Sequence, residues 1–357
     1  MNPTTTSTST SPSLVAALHP DILLTHILSR LDGPTLASAA SSSSLLHSLS
    51  DDDDHGLWKS ISASTWPSVS HPLTSRVIST FPSGHRSFFS DAYPLLDHSP
   101  NTNTPSSSSL RTSCKSTSSL ISAVDISYMG KLIVSRVQEM ETVSGWFMSS
   151  PFRVDLLGQN ESVPTPICTA SPEKTGDGLD GWLTHLKQNL TLSWILIDPM
   201  TKRAASVTSR RPVSVQRHWL TGEVQARYTA VIPGGGAEGT EREVVCIVAA
   251  VTCWPSEGKE GAPVEVREVS LQVEDMEGKV VMGEGGLGAI TGAMSEGRKR
   301  SKGEEGEEVK RRYEEYEVMK RKWREGKQRR ERLLDLACMS IGVTLFIAFC
   351  SFLLFFR

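Results

Sequence analysis

The chain has 357 residues and a mass of 39.0 kDa, with 38% hydrophobic and 22% charged residues, a size and balance that suit more than one globular unit. A formal charge of −3 and a pI near 6.3 exclude a generally basic nucleic-acid binder, and six cysteines in so long a chain exclude a disulfide-stapled mini-domain. The average conceals segregation. Residues 296–332 hold 15 Lys/Arg against 10 Asp/Glu, a net of +5, which leaves −8 on residues 1–295.

In chain order, residues 1–13 are almost wholly Thr, Ser, Pro and Asn and read as disordered. A small all-α module follows over 14–66. Pro20 suits a first helical turn and Asp21 complements its positive end, after which Leu24, Ile27, Leu28 and Leu31 recur at helical spacing. Asp32-Gly33-Pro34 ends that helix, and Thr35 is expected to cap a second one carrying Leu36, Ala39, Ala40, Leu45, Leu46 and Leu49, which breaks at Asp51–Asp54. Leu57-Trp58-Lys59-Ser60-Ile61 supplies a third apolar patch, and a helical extension is expected over 67–96. Helices this short cannot close a large core alone, so their spare apolar surface is expected to belong to a partner.

The run from Leu18 to Ile61 resembles an F-box, whose pattern is a Leu-Pro start, an Ile-Leu-x-x-Leu helix, a turn, a second Leu-containing helix and a closing Leu-Trp. Leu18, Pro20, Ile27, Leu28, Leu31, Leu36, Leu57 and Trp58 match it in turn. Two positions depart: His19 stands between Leu18 and Pro20, and Ser41–Ser44 with Leu46 occupy the place of a frequent Lys/Arg-Trp pair. Ser64-Thr65-Trp66-Pro67-Ser68 and Ser87-Phe88-Phe89-Ser90-Asp91-Ala92 resemble a group of plant F-box proteins. The resemblance implies docking to the Skp-type adaptor of a cullin-based ubiquitin ligase, with the rest of the chain choosing targets. Leu24 joins the eight matching residues as an expected adaptor contact.

Residues 97–119 are Ser, Thr and Pro-rich and read as an interdomain linker. A β-rich domain is expected over 120–294. Its strands are placed at Ile121–Tyr128, Lys131–Val137, Phe152–Leu157, Leu190–Ile197, Ala204–Ser209, Val213–Leu220, Val224–Ile232, Glu243–Trp254, Val264–Val273 and Gly278–Met282, with no long helices between them. That pattern predicts an antiparallel sandwich or barrel-like domain. Trp146, Trp182, Trp194, Trp219 and Trp254 are expected to fill its core, the alternative being an exposed aromatic lining for a ligand.

Residues 295–335 read as a long charged helix, a solvated stalk whose Val309, Tyr313, Tyr316 and Trp323 form a narrow stripe; a coiled-coil seam is the alternative. Leu336–Phe356 contains 21 residues without a charge, enough at about 1.5 Å per residue to cross about 30 Å of hydrocarbon. Eight Lys/Arg between Lys320 and Arg332 place the N-terminal body in the cytosol by the positive-inside bias. With no basic, apolar leader at the N-terminus, the expectation is a tail-anchored protein of the endoplasmic reticulum or another endomembrane, in contact with lipid through 336–356 and with its cysteines reduced. The expected fold class is thus multidomain α+β.

No catalytic, cofactor or metal constellation emerges. Gly283-Glu284-Gly285-Gly286-Leu287-Gly288 fits G-x-G-x-x-G but lacks the following helix and parallel strand of a dinucleotide site, and reads as a glycine loop ending the sheet. Cys246, Cys253, Cys114 and Cys168 lack metal-ligand spacing and read as small buried hydrophobes. Arg210, Arg211, Arg217 and His218 form the densest basic group of the β region and are the candidates for target recognition. The expected function is a non-catalytic adaptor that presents targets to a cullin scaffold. The alternative is a membrane-anchored β-domain binding a glycan or small ligand, with a vestigial F-box.

Overall fold

The computed structural model describes residues 18–51, 56–96, 117–168, 178–234, 244–255, 263–295 and 305–356. The 1–13 tract, Cys114, most of the 97–119 segment and the acidic run beyond Asp51 lie outside the described residues. The architecture is multidomain α+β: an N-terminal helical module, two antiparallel sheets and a long C-terminal helix.

The module opens with α1 (Pro20–Ile22), which continues through a widened turn at Leu23–Ile27 and a tight one at Leu28–Arg30. Asp32, not Thr35, caps α2 (Gly33–Ser42). Its carboxylate accepts the Thr35 N–H at 3.0 Å and is held below its ordinary pKa by the hydrogen bonds from Thr35. The second helix expected from sequence is two helices, because Ser43 is extended and starts α3 (Ser44–Asp51). Serines bond back to the preceding turn here, as Ser41 does to Ser38 O and Ser42 to Ala39 O, which competes with the helical ladder. α4 (Leu57–Thr65), α5 (Pro72–Ile78) and α6 (Gly84–Ala92) complete the module.

The strands are β1 (Ser119–Tyr128), β2 (Lys131–Glu141), β3 (Arg153–Asp155), β4 (Val163–Cys168), β5 (Leu190–Asp198), β6 (Arg203–Ser206), β7 (Ser214–Arg217), β8 (Val224–Pro233), β9 (Val244–Pro255) and β10 (Pro263–Glu274). One sheet has the order β2-β1-β5-β6, the other β3-β10-β9-β8-β7 with β4 also paired to β10. Asp198 makes the β5–β6 turn as expected, accepting from Met200 N, Thr201 N and Thr201 Oγ1 at 2.9, 3.3 and 2.7 Å. Gly278–Met282 is not a strand; it touches the sheet through single bridges, Glu274 with Val280 and Pro151 with Met282. The strand pattern does not announce β4, whose Pro164 and Pro166 fit only an edge, nor α8 (Gly178–Asn189).

The expected glycine loop is instead the start of α9 (Gly283–Ser295), which packs on α7 (Gly145–Ser149). A Cβ at Gly283 would lie 2.1 Å from the Phe147 carbonyl oxygen, and one at Gly286 2.9 Å from Phe152, so these glycines serve close packing. The Gly283 N–H already donates to Ser150 O at 2.7 Å, and no parallel strand follows among the described residues, which leaves the helix start unsuited to a dinucleotide.

Alternation sorts the strand side chains. Leu120, Val124, Leu192, Trp194 and Leu196 face Tyr228, Ile247, Val251 and Leu271 between the sheets, while Ile121, Ala123, Ile195 and Ile197 point to the opposite side of the first sheet and join the module's core. Of the five tryptophans expected inside, only Trp194 is fully buried. Trp182 and Trp254 are partly buried, and Trp146 on α7 and Trp219 in a hairpin tip are 80% and 86% exposed. Both exposed residues lie outside paired strand positions, where alternation dictates nothing.

The charged helix does not stand free. α10 (Glu305–Phe355) is one continuous helix whose first half lies on the outer face of the second sheet. Tyr316 is buried with Cys246 and Val248, flanked by Tyr313, Val231 and Val244, and its hydroxyl donates to Asp275 O at 2.9 Å. Tyr313 and Tyr316 of the stripe expected for a stalk or coiled coil are therefore spent on the sheet. The layers run module, first sheet, second sheet, α10.

Candidate functional site

The sequence pattern points to nine residues of the module, and the structure divides them by direction. Leu24, Leu28, Leu36, Leu57 and Trp58 are buried and hold the helices together. Leu18 and Ile27, each 41% exposed, and exposed Pro20 face outward, with Leu31 half-buried between the groups. The widened turn at Leu23–Ile27, where the Leu28 N–H reaches back to Leu23 O, sets Ile27 one turn after Ile22. Ile22, at 45% exposure, therefore extends the outward apolar strip although it is absent from the matched pattern. Its signal was the i,i+4 spacing from Leu18.

An aromatic cluster anchors this strip from behind. The Phe89 ring lies 5.4 Å from Trp58, 5.2 Å from Trp66 and 5.1 Å from Tyr93, and Phe88 lies edge-on to Trp66 and Phe81. Gly33 touches Phe89 so closely that a Cβ there would fall 2.0 Å from Cζ.

The same aromatics sit at a joint. Asp125 of β1 is buried under the module and accepts from Ser68 N–H at 3.0 and 3.2 Å, Ser68 Oγ–H at 2.6 Å and Ser135 Oγ–H at 2.7 Å. Burial raises its pKa, against the lowering effect of those bonds. At the other end of the module Asp91 pairs with Arg203 at 2.9 Å, and Leu96 N–H donates to Ser206 O at 2.8 Å. Trp66, Ser68, Phe88, Phe89 and Asp91 all belong to the two short flanking motifs quoted above. Those motifs form the seam between module and sheet, with Ile121, Ala123, Ile195, Ile197 and Ala204 supplying the sheet's half of the shared core.

With this geometry in view, comparison with known proteins is decisive. The chain is 43% identical to an F-box protein of Arabidopsis thaliana over 347 residues, 95% of this chain and 96% of that protein. It belongs to the F-box protein family. A second Arabidopsis F-box protein is 41% identical over 96% of this chain and 91% of its own length, and a third, named a probable F-box protein, is 40% identical over 96% and 97%. No family model matches the chain, and no solved structure matches it. F-box kinship thus spans both sheets and α10 as well as the module.

In this F-box chain the candidate recognition residues do not converge. Arg217 and His218 lie at the tip end of β7, whereas Arg210 and Arg211 precede β7 near the start of β5, where Leu192 N–H donates to Arg210 O. Of the chain from Arg210 to Arg217 only Ser214–Arg217 is strand; the residues before it bend, with Pro212 buried and Val213 N–H donating to Arg227 O at 2.8 Å. All four are exposed. Cys246 and Cys253 are buried as expected, and burial pushes their thiols up, Cys253 to about 12; Cys168 is exposed, contrary to expectation, because it ends an edge strand.

A charged network moors α10. Lys320, buried to 8% exposure, lies 3.5 Å from Glu274, which also accepts from Arg227 at 3.0 Å and Gln272 at 2.9 Å. Farther along, Arg324 donates to Glu277 O and Lys327 to the Glu277 carboxylate at 2.6 Å; hydrogen bonds from Lys279 and Lys327 hold that carboxyl down at about 2. Beyond Arg332 the helix is exposed and apolar, the one candidate membrane span among the described residues.

Proposed function

We propose that this protein is the target-selecting subunit of an SCF-type cullin-RING ubiquitin ligase, held at a membrane by the apolar half of α10. Near full-length similarity to proteins named F-box carries the reading. Leu18, Ile22 and Ile27 form the apolar strip that a Skp-type adaptor covers, with the buried leucines fixing its shape. The subunit supplies no chemistry of its own; it positions targets for a partner enzyme on the cullin scaffold. The apolar run 336–356 contacts lipid, and the basic residues before it keep the body on the cytosolic side.

A pull-down of a Skp-type adaptor tests the first part. Leu18→Asp and Ile27→Asp change exposed positions, so adaptor retention is expected to fall at least tenfold while Tm stays within about 2 °C. Unchanged retention refutes the adaptor role. Alkaline extraction tests the second: full chain in the membrane pellet, a chain ending at Arg332 in the supernatant. Release of both refutes the anchor.

A further inference from the structure

The tip of the β7–β8 hairpin carries the most exposed pair of large apolar side chains in the sandwich, Trp219 at 86% and Leu220 at 71%. Its backbone is nonetheless well held. His218 N–H donates to Glu223 O at 2.7 Å, Gly222 N–H to His218 O at 3.0 Å and Thr221 N–H to His218 Nδ1 at 3.2 Å, while Gly222 takes φ 72°. The His218 ring lies 6.4 Å from that of Trp219. A fixed turn that presents two large apolar groups loses little conformational freedom when something covers them.

Its surroundings extend the surface. Cys253 pairs with Val224 at the hairpin's base, so the next residue of β9, Trp254, stands beside the stem, with the Arg267 guanidinium 5.0 Å from its ring centroid. Arg217 closes the stem, and Arg210 and Arg211 lie along the chain leading into β7. These three arginines have no ion pair among the described residues, on a body of net −8. Tryptophan and arginine are the residue types that dominate interface energetics.

Lipid is not the natural occupant. β8 runs ten residues from Val224 to Pro233, about 30 Å at about 3.3 Å per residue. At its far end Val231 pairs with Cys246 and Cys246 with Glu274, and α10 leaves the sheet there past Glu277. The hairpin tip and the apolar half of α10 thus emerge from opposite ends of the sheet.

We propose that this end of the sandwich docks an extended acidic segment of a target protein. An apolar side chain of the segment seats on Trp219 and Leu220, and its carboxylates pair with Arg217 and with Arg210 and Arg211 before β7. The proposal rests on the target-selecting reading and gives it a target class.

Selection from a displayed library of random twelve-residue peptides, on the full chain in phosphatidylcholine nanodiscs, tests it. Acidic peptides carrying a Trp, Phe or Leu are expected to be enriched. A synthetic copy of the most enriched peptide is expected to bind at least tenfold more weakly to the Trp219→Ser/Leu220→Ser variant. The same loss is expected for the Arg210→Glu/Arg211→Glu/Arg217→Glu variant, and for the wild type between 50 and 500 mM NaCl. No enrichment, or equal binding by both variants, overturns the proposal. So does loss of the Trp219-dependent part of the fluorescence in nanodiscs of acyl-brominated lipid, read as wild type minus Trp219→Phe, which assigns the tip to the bilayer. Adaptor retention is measured on the same samples. Its loss with peptide selection intact refutes the ligase reading alone; the converse refutes the docking site alone.

Discussion

Replacing Ser68 by Ala removes one of the donors that satisfy a buried carboxylate at the seam between module and sheet. The Ser68 Oγ–H bond to Asp125 is 2.6 Å long and charge-assisted, while the two Ser68 N–H contacts and the Ser135 bond survive. Loss of one such bond costs about 2 kcal/mol, or about 3–4 °C in Tm for a body of this size. Asp125→Asn separates charge from geometry, since the amide oxygen still accepts from Ser68. Because burial raises the Asp125 pKa, the folded state holds this proton more tightly than the unfolded chain. Its contribution is fully present below the unfolded value of about 3.9 and is lost as pH rises through the folded value. Thermal unfolding of a chain ending at Arg332, followed from pH 4 to 8, is expected to show a declining component in the wild type that Asp125→Asn abolishes. If Ser68→Ala lies within 1 °C of wild type, or Asp125→Asn keeps the full decline, the seam is not held by this carboxylate.

Gly33→Ala drives a Cβ into the Phe89 ring and is expected to cost about 1–3 kcal/mol by overpacking, read from the denaturant midpoint. Leu28→Ala, at a position 1% exposed, is expected to cost about 2–5 kcal/mol and to weaken adaptor retention only through that loss. Glu274→Gln leaves Lys320 and Arg227 short of a counter-charge, so hydrogen exchange over 305–327 is expected to rise as α10 loosens by about 3 kcal/mol; Glu274→Gln/Lys320→Met recovers part of it. Maleimide at pH 7 is expected to label Cys168 in the folded protein and to reach Cys246 and Cys253 only after denaturation.

Most of the architecture was legible from residue spacing: the leucines of the module, the alternation in β1, β5, β8, β9 and β10, and the charge-free run after Asp335. What stayed hidden was contact between distant parts. Ser68 and Asp125 are 57 residues apart across a Ser/Thr tract, and an aspartate in an alternating strand reads as a solvent-facing residue. A signal for the covering layers did exist. Trp194-Ile195-Leu196-Ile197 in β5 and Val244–Val251 in β9 are apolar on both faces, which a two-sheet sandwich does not need unless something packs outside it. The basic candidates are dense along the chain, yet Arg217 ends β7 at the hairpin tip while Arg210 bonds to Leu192 of β5. Ile22 escaped because the F-box pattern does not include it, although its i,i+4 spacing from Leu18 marks the same face.

The shared core also bears on portability. Cutting the chain after Leu96 would bare Ile121, Ala123, Ile195 and Ile197 to water and strip Asp125 of two donors, while the excised helices would lose their floor. An F-box built this way cannot be traded between proteins like a cassette. Grafting another family member's first 96 residues onto this sandwich succeeds only if its counterparts of Trp66, Ser68, Phe88, Phe89 and Asp91 travel with them, so such chimeras must be matched at the seam before they are matched at the adaptor.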